Sequence, residues 1–306
     1  MSRTTSIGQD TQHQRCRFSK LAGGFAANDF LHKEVRERLF DRLPLFRHEP
    51  KYAIDLGGGV GDGAYRLSKA YPLCKVLNVD SAFGMTLVSQ NRLGKNASDE
   101  SPRSVCAEAA QLPFADNSLD LVTSNMMLHY TENLAAVLQE VSRVLKPGGL
   151  FLFSLAGNGS LNELKSAWAE IVGSPAFSPL PELQPVGDAL LKTGFSGPVL
   201  DSEVITITYR SADTLLQELR QITVPRLHST RRKGLTGKDL WSRMRAACES
   251  GRNADGVIPV SVEVIYGHAW SNAKAGIVNV SGNDDSEVGV PLSTLLGRKP
   301  RKMSDD

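Results

Sequence analysis

Cysteine is scarce in this chain. Cys16, Cys74, Cys106 and Cys248 are its four, and no two of them form a CxxC pair. That scatter argues against a disulfide framework and a zinc finger, and it fits a reducing, cytoplasmic compartment. Long hydrophobic runs are missing as well. The longest, Leu150–Ala156, contains Ser154 and falls far short of the ~20 residues a membrane span needs. Net charge is nearly absent, with 35 Lys and Arg against 33 Asp and Glu leaving +2. Basic residues interleaved with aromatics, the pattern expected of a single-stranded nucleic-acid binder, are thin. What remains is ordinary globular composition, 41% hydrophobic and 22% charged over 306 residues, enough for one large domain or two small ones.

The two ends differ from the middle. Residues 1–20 carry Arg3, Arg15, Arg17 and Lys20 against Asp10 alone. A mitochondrial presequence has such a charge, which would place the protein in the matrix of a eukaryote. The segment lacks a clear amphipathic apolar face, however, so it reads as a flexible leader. Residues 271–306 turn rich in Gly, Ser and Asn and read as a mostly disordered tail. Between them, over 21–270, helix and strand signals alternate. Periodicity predicts helices over 29–43, 62–70, 132–145, 161–172, 186–193, 212–222 and 238–250. Apolar runs predict strands over 52–56, 75–79, 104–107, 119–124, 150–155, 203–209 and 260–266. Strands joined through single helices imply an α/β fold, with a right-handed parallel sheet covered on both faces. Residues 211–257 read as a helical insertion in one domain.

A glycine cluster, Asp55–Gly61, follows the first strand and opens a helix. Glycines at Gly57, Gly59 and Gly61 let backbone approach a ligand, and a helix N-terminus offers N–H groups to an anion. The weak dinucleotide template fits Gly59–Ala64. Asp55 immediately before the glycines argues against that ligand, because a carboxylate aimed at a pyrophosphate costs electrostatic energy. S-adenosylmethionine suits the acids better. Its methionine part is a zwitterion, and its ribose carries two free hydroxyls. Asp55 would face the ammonium and backbone N–H groups near Gly57–Gly61 the carboxylate. Asp80, followed by Ser81, would take the ribose hydroxyls. Glu108 would accept from the adenine amino group, with Ala109 and Leu112 against the ring. These acids follow three successive strands, at the edge where open sheets bind ligands.

With Asp55–Gly61, Asp80, Glu108–Phe114 and Val144–Gly149, the chain resembles the class I S-adenosylmethionine-dependent methyltransferases over roughly residues 50–156. The resemblance implies a Rossmann-like, seven-stranded sheet with its last strand antiparallel. Signatures of several acceptor classes are missing. Ser124–Tyr130 replaces the Asn/Asp-Pro-Pro-aromatic motif of base-amino enzymes, no Pro-Cys dipeptide occurs, and no cysteines cluster as radical enzymes require. The segments Phe25–Glu34, Ser124–Tyr130, Gly159–Leu164, Asp201–Tyr209, Arg231–Gly237 and Val264–Trp270, in this order, are similar to the malonyl-[acyl-carrier protein] O-methyltransferases of biotin synthesis. A related arginine-hydroxylating complex I assembly factor shares much of the pattern.

The resemblance implies that the enzyme esterifies an ionised malonyl carboxylate, for which no general base and no catalytic residue is required. It implies that Phe25, where many members have Tyr, closes over the cofactor. It puts Asn125 on the cofactor side, Tyr130, where Trp is common, near the acceptor, and His129 either there or in the core as a satisfied buried histidine. Arg143 is a candidate for pairing with a carboxylate or for anchoring a helix end. His268 and Trp270 read as core or edge residues. His32 and Glu34 do not face each other on a helix, so no metal site is expected. Between Arg220 and Arg252 lie nine basic residues, Arg226, Arg231, Arg232 and Lys233 among them, against Asp239 and Glu249. Such a patch suits a strongly acidic acyl-carrier protein, a solvated helix face or RNA, the first being preferred. The expected protein is a cytoplasmic monomer.

Overall fold

The computed structural model describes residues 7–26, 29–94, 101–172, 179–221 and 238–272. Its centre is a seven-stranded sheet. The strands are β1 (Tyr52–Leu56), β2 (Lys75–Asp80), β3 (Arg103–Cys106), β4 (Leu119–Asn125), β5 (Leu145–Ala156), β6 (Phe195–Tyr209) and β7 (Ile258–Ser271). Their order is β3-β2-β1-β4-β5-β7-β6. β1 to β5 pair in parallel, and β7 enters antiparallel between β5 and β6. The expected architecture and the final antiparallel pair are both present.

The helices are α1 (Ile7–Phe25), α2 (Phe30–Phe40), α3 (Asp62–Ala70), α4 (Phe83–Leu93), α5 (Leu134–Val144), α6 (Asn162–Val172), α7 (Leu183–Lys192), α8 (Ala212–Gln221) and α9 (Lys238–Ser250). β5 explains why the central strands read as unbroken apolar runs. Leu150 and Leu152 enter the core under α2 and α3, whereas Phe151, Phe153 and Leu155 enter the core under α5 and α7. A strand with helices on both faces has no solvent side to mark with polar residues. Its N-terminal part is longer than the sequence suggested: Leu145 already pairs with Leu119, and the register shifts before Leu121 meets Leu150.

Two elements depart from the sequence reading. α4 was not visible as a helix because its buried face mixes Met85 and Leu93 with Thr86 and Ser89, which blunts the hydrophobic period. Residues 1–20 are not a flexible leader where the structure describes them. From Ile7 the chain is α1, which rests on α4: Ser19 Oγ accepts the Gly84 N–H at 3.1 Å. Phe18, Ala22 and Phe25, spaced i, i+4, i+7, pack with Val60, Ala82 and Met85. That stripe is too narrow to stand out among the polar residues around it.

On the far side, α2 is clamped to the last two strands. Arg42, two residues past the end of α2, holds Asp201 at 2.5 Å and lies over the Tyr266 ring, while Glu203 accepts from Arg38 of α2 at 2.6 Å and from Tyr266 Oη at 2.7 Å. Of residues 211–257, the described parts hold α8 and α9, joined where Glu249 Oε1 accepts the Ala212 N–H at 2.8 Å. Residues 222–237 and the tail beyond residue 272 lie outside the described residues, and with them Arg226, Arg231, Arg232 and Lys233. The four cysteines are free thiols. No described helix is long and apolar enough to cross a membrane.

Candidate functional site

The carboxyl ends of β1, β2, β3 and β4 open on one cavity of about 450 Å³, roofed by α1 and α2. That volume falls in the roughly 300–1,000 Å³ range of small-molecule sites. Phe25, Asp55, Gly57, Gly59, Asp80, Ser81, Glu108, Ala109, Asn125 and Tyr130 all line it. The three strand-end acids therefore do converge.

Asp55 is fully enclosed. Thr123 Oγ1 donates to it at 3.0 Å, and burial pushes its carboxyl up to about 6. Gly58 and Gly63 leave the room it occupies, since a Cβ on either would run into the carboxyl. Asp80 brackets the loop. Its Oδ2 accepts the Gly59 N–H at 3.0 Å and its Oδ1 the Ala82 N–H at 2.8 Å. Burial raises it to about 6 as well. A carboxylate has about four acceptor positions, so both oxygens keep capacity for a ligand's hydroxyls. Glu108 lies 2.7 Å from the Arg15 guanidinium, yet its Oε1 has no aligned hydrogen-bond donor.

The glycine loop itself is used differently from expectation. Gly57 N–H donates to Val79 O at 2.7 Å, Gly58 N–H to the same oxygen at 3.2 Å, and Gly61 N–H to Gly58 O at 3.0 Å. With Gly59 bound to Asp80, these four donors hold the loop in shape and are not free for a carboxylate. Gly61 is not in the cavity wall either. It starts α3 with φ +90°, a left-handed conformation that favours glycine. A partly buried cation of the wall is Arg36 of α2, 3.4 Å from Asp29 Oδ2.

Beyond β4 the backbone is strained, with Met126 at φ 53° and its N–H held by Ser154. That turn fixes Asn125, whose Nδ2 donates to the His32 carbonyl at 3.0 Å and whose Oδ1 accepts from Ser154 Oγ at 2.8 Å. Tyr130 packs edge-on against Phe18, with centroids 5.4 Å apart. By sequence, His129 could orient the acceptor or be a satisfied buried histidine, and it lies behind the wall. Its Nδ1 accepts the Ala156 N–H at 3.2 Å, and burial lowers it to about 3, so it remains a neutral acceptor for a strand end.

Arg143 is likewise not a pocket residue. It reaches Glu140 at 2.7 Å, Asp116 at 2.7 Å and the carbonyls of Leu112 and Phe114 at 3.1 and 2.9 Å. It ties α5 to the chain after β3, the helix-anchoring role that was its alternative. Leu112 belongs to the core and not to the wall. His268 and Trp270 pack on Phe46 at 4.8 and 5.9 Å, as core and edge residues. No metal-binding group of His, Cys, Asp and Glu occurs among the described residues.

The wall also holds residues that sequence reasoning missed: Gln14, Arg15 and Phe18 of α1, and Asp29, His32 and Arg36 at the start of α2. The second set was legible. Positions 29, 32 and 36 form a polar stripe beside the apolar 31, 35 and 39, and such a stripe on an otherwise packed helix marks a site.

A model of the methyltransferase domain matches residues 54–153, which span β1 to β5. Among curated proteins, the chain is 36% identical over 267 residues to a malonyl-[acyl-carrier protein] O-methyltransferase of Gallionella capsiferriformans, covering 86% of this chain and 92% of that one. It is 36% identical over 292 residues to the enzyme of that name in Xylella fastidiosa, covering 95% and 97%. The chain belongs to the malonyl-[acyl-carrier protein] O-methyltransferase family. The solved structure of a putative methyltransferase from Bacillus halodurans has the same fold, with TM-score 0.56, 16% identity and coverage of 78% of this chain and 98% of that one. Membership of this family accounts for the seven-stranded, mostly parallel sheet.

The cavity fits S-adenosylmethionine on its own chemistry. Asp29 Oδ1 and Glu108 Oε1 are buried acceptors in its wall whose neighbours, His32 and Arg15, are not aligned as hydrogen-bond donors to them. Asp55 and Arg36 offer one charge of each sign to a zwitterion, and Asp80 two oxygens to a diol.

Proposed function

We propose that the protein transfers a methyl group from S-adenosylmethionine to the free carboxylate of a malonyl thioester on acyl-carrier protein, giving the methyl ester used in pimeloyl, and so biotin, synthesis. The observation that carries this reading is the convergence of Asp55, Asp80 and Glu108 on one cavity, in a chain similar over nearly its whole length to enzymes of that name.

The bound cofactor supplies an electrophilic methyl on a sulfonium. Arg36 would hold its carboxylate, Asp55 its ammonium, Asp80 and Ser81 its ribose, and Glu108 and Ala109 its adenine. Phe25 and Phe18 would keep water from the reacting end. The acceptor is already ionised at neutral pH, so the protein's task is alignment and exclusion of water. Tyr130 and Asn125 would line its path to the methyl.

The basic segment around Arg226, Arg231, Arg232 and Lys233 would steer the acidic carrier protein, and no nucleic-acid partner or second subunit is invoked. Residues 7–272 would act as one catalytic unit in the cytoplasm. Incubation with methyl-labelled cofactor and malonyl-[acyl-carrier protein] tests the reading. Label in the carrier-bound ester supports it, and label-free thioester under conditions where the protein binds the cofactor refutes it. Growth of a biotin auxotroph carrying the gene separates it from the arginine-hydroxylating alternative, which the relatives do not favour.

A further inference from the structure

Methylating a carboxylate requires no base, yet the wall of the cavity holds a carboxylate–imidazole pair. His32 Nδ1 lies 3.3 Å from Asp29 Oδ1, and both residues line the cavity. The pair is firmly placed. The His32 carbonyl takes the Asn125 amide at 3.0 Å, and its ring leans on Phe25 with centroids 5.4 Å apart. Asp29 is only 7% exposed, its Oδ2 is held by Arg36 at 3.4 Å, and its Oδ1 has no aligned donor.

The acceptor end is otherwise poor in free positive charge. Arg36 stands by Asp29 and Arg15 by Glu108, the Asn125 amide is taken by the His32 carbonyl, and Phe18, Phe25, Met127 and Tyr130 add apolar and aromatic wall. Bringing a carboxylate there without a donor would cost several kcal/mol. We propose that the Asp29–His32 pair takes up one proton when the acceptor binds, and presents Nε2–H of His32 to one oxygen of the acceptor carboxylate. The other oxygen is left to attack. This rests on the reading that the acceptor is a carboxylate.

The donor is the same wherever the shared proton sits. A protonated Asp29 donates to Nδ1 and leaves the hydrogen on Nε2, and an imidazolium carries one on each nitrogen. Burial pushes Asp29 up to about 6 and His32 down to about 4, so the free protein has a neutral ring ready to gain a proton. Arg36 and Arg92 oppose that gain, Asp62 favours it, and His129 stays neutral behind the wall. The carboxylate then supplies the balancing charge. In the transfer its free oxygen forms the O–CH3 bond as the C–S bond breaks, with that electron pair passing to sulfur. The resulting ester is neutral and a weaker acceptor, so it releases the hydrogen bond, and the proton returns to solvent.

The pair predicts a pH signature. For the wild type, KM for malonyl-[acyl-carrier protein] rises about tenfold per pH unit above neutrality, as one linked proton requires. His32→Gln and Asp29→Asn raise KM about tenfold at pH 7 and flatten its pH dependence, with kcat changed much less. Titrating malonyl-[acyl-carrier protein] into protein loaded with S-adenosylhomocysteine, in two buffers of different ionisation enthalpy, shows about one proton taken up by the wild type and none by His32→Gln. Binding of S-adenosylhomocysteine by each variant checks that it is folded. Methyl transfer with a pH-flat wild-type KM, or equal proton uptake in the variant, overturns the pair and leaves the substrate reading standing. No transfer and no heat from the wild type overturns the substrate reading and the pair's role together.

Discussion

The Arg15 guanidinium of α1 stands 2.7 Å from the Glu108 carboxylate beyond β3, bringing the N-terminal helix to the strand-end acid on the outermost strand. Both partners are about 40% exposed, so the pair itself is worth no more than about 1 kcal/mol. Its importance is its position, because α1 also contributes Gln14 and Phe18 to the cavity wall. Deleting residues 1–20 leaves both large cores intact. The truncated protein is therefore expected to melt cooperatively but to bind S-adenosylhomocysteine at least tenfold more weakly by calorimetry. Unchanged affinity would mean that the segment is the dispensable leader its composition suggested.

Cofactor affinity should fall in acid. Asp55 and Asp80 are raised to about 6 from 3.8 by burial, while the ammonium and hydroxyls of the cofactor favour their ionised forms. Binding therefore expels protons below pH 6, and the Kd for S-adenosylhomocysteine should rise about tenfold or more per pH unit there. The ligand-free protein moves the other way. Its folded state holds more protons than the unfolded chain between pH 6 and about 4, so these two groups add stability as pH falls through that window. Asp80→Asn should weaken binding at pH 7 by about tenfold or more and remove part of the acid dependence. Calorimetry across pH 5 to 8 decides both points.

Gly63→Ala sets two effects against each other. Inside a helix the change usually stabilises by about 1 kcal/mol. Here the new methyl would overlap the Asp55 carboxyl, which is buried and tied to Thr123 and could retreat only into the cavity. Overpacking of that kind costs about 1–3 kcal/mol, so the variant should unfold at lower urea and lose cofactor affinity together. A more stable variant with full affinity would show that Asp55 has room to move.

Arg143→Ala separates folding from recognition. The side chain satisfies two carboxylates and two backbone carbonyls away from the cavity. Its loss should destabilise the protein by about 1–3 kcal/mol, visible in a urea midpoint, without changing KM for the acceptor. A raised KM at unchanged stability would return Arg143 to the substrate.

Much of the fold could be read from the chain because β1, β2, β4 and the second half of β5 are apolar runs, a pattern dictated by a sheet covered on both faces. α1 and α4 escaped for the opposite reason: the faces they bury are narrow, or half polar. In the site, Asp55, Asp80 and Glu108 were legible from their places after three strands. His129 stayed open between two roles because a histidine near a strand end looks the same whether it meets a ligand or accepts the Ala156 N–H. Arg36 and His32 showed only as a polar stripe on α2, and only folding tells that this stripe lies over the ends of strands that come later in the chain.

The clamp between α2 and the final hairpin has a practical consequence. Asp29, His32 and Arg36 are aimed from one end of a short helix whose other end is pinned by Asp201, Glu203 and Tyr266. A lesion in the last two strands would thus reach the reaction centre by tilting that lever. Biochemists would meet it as poor ligand capture, in a protein whose damaged residues never touch a ligand.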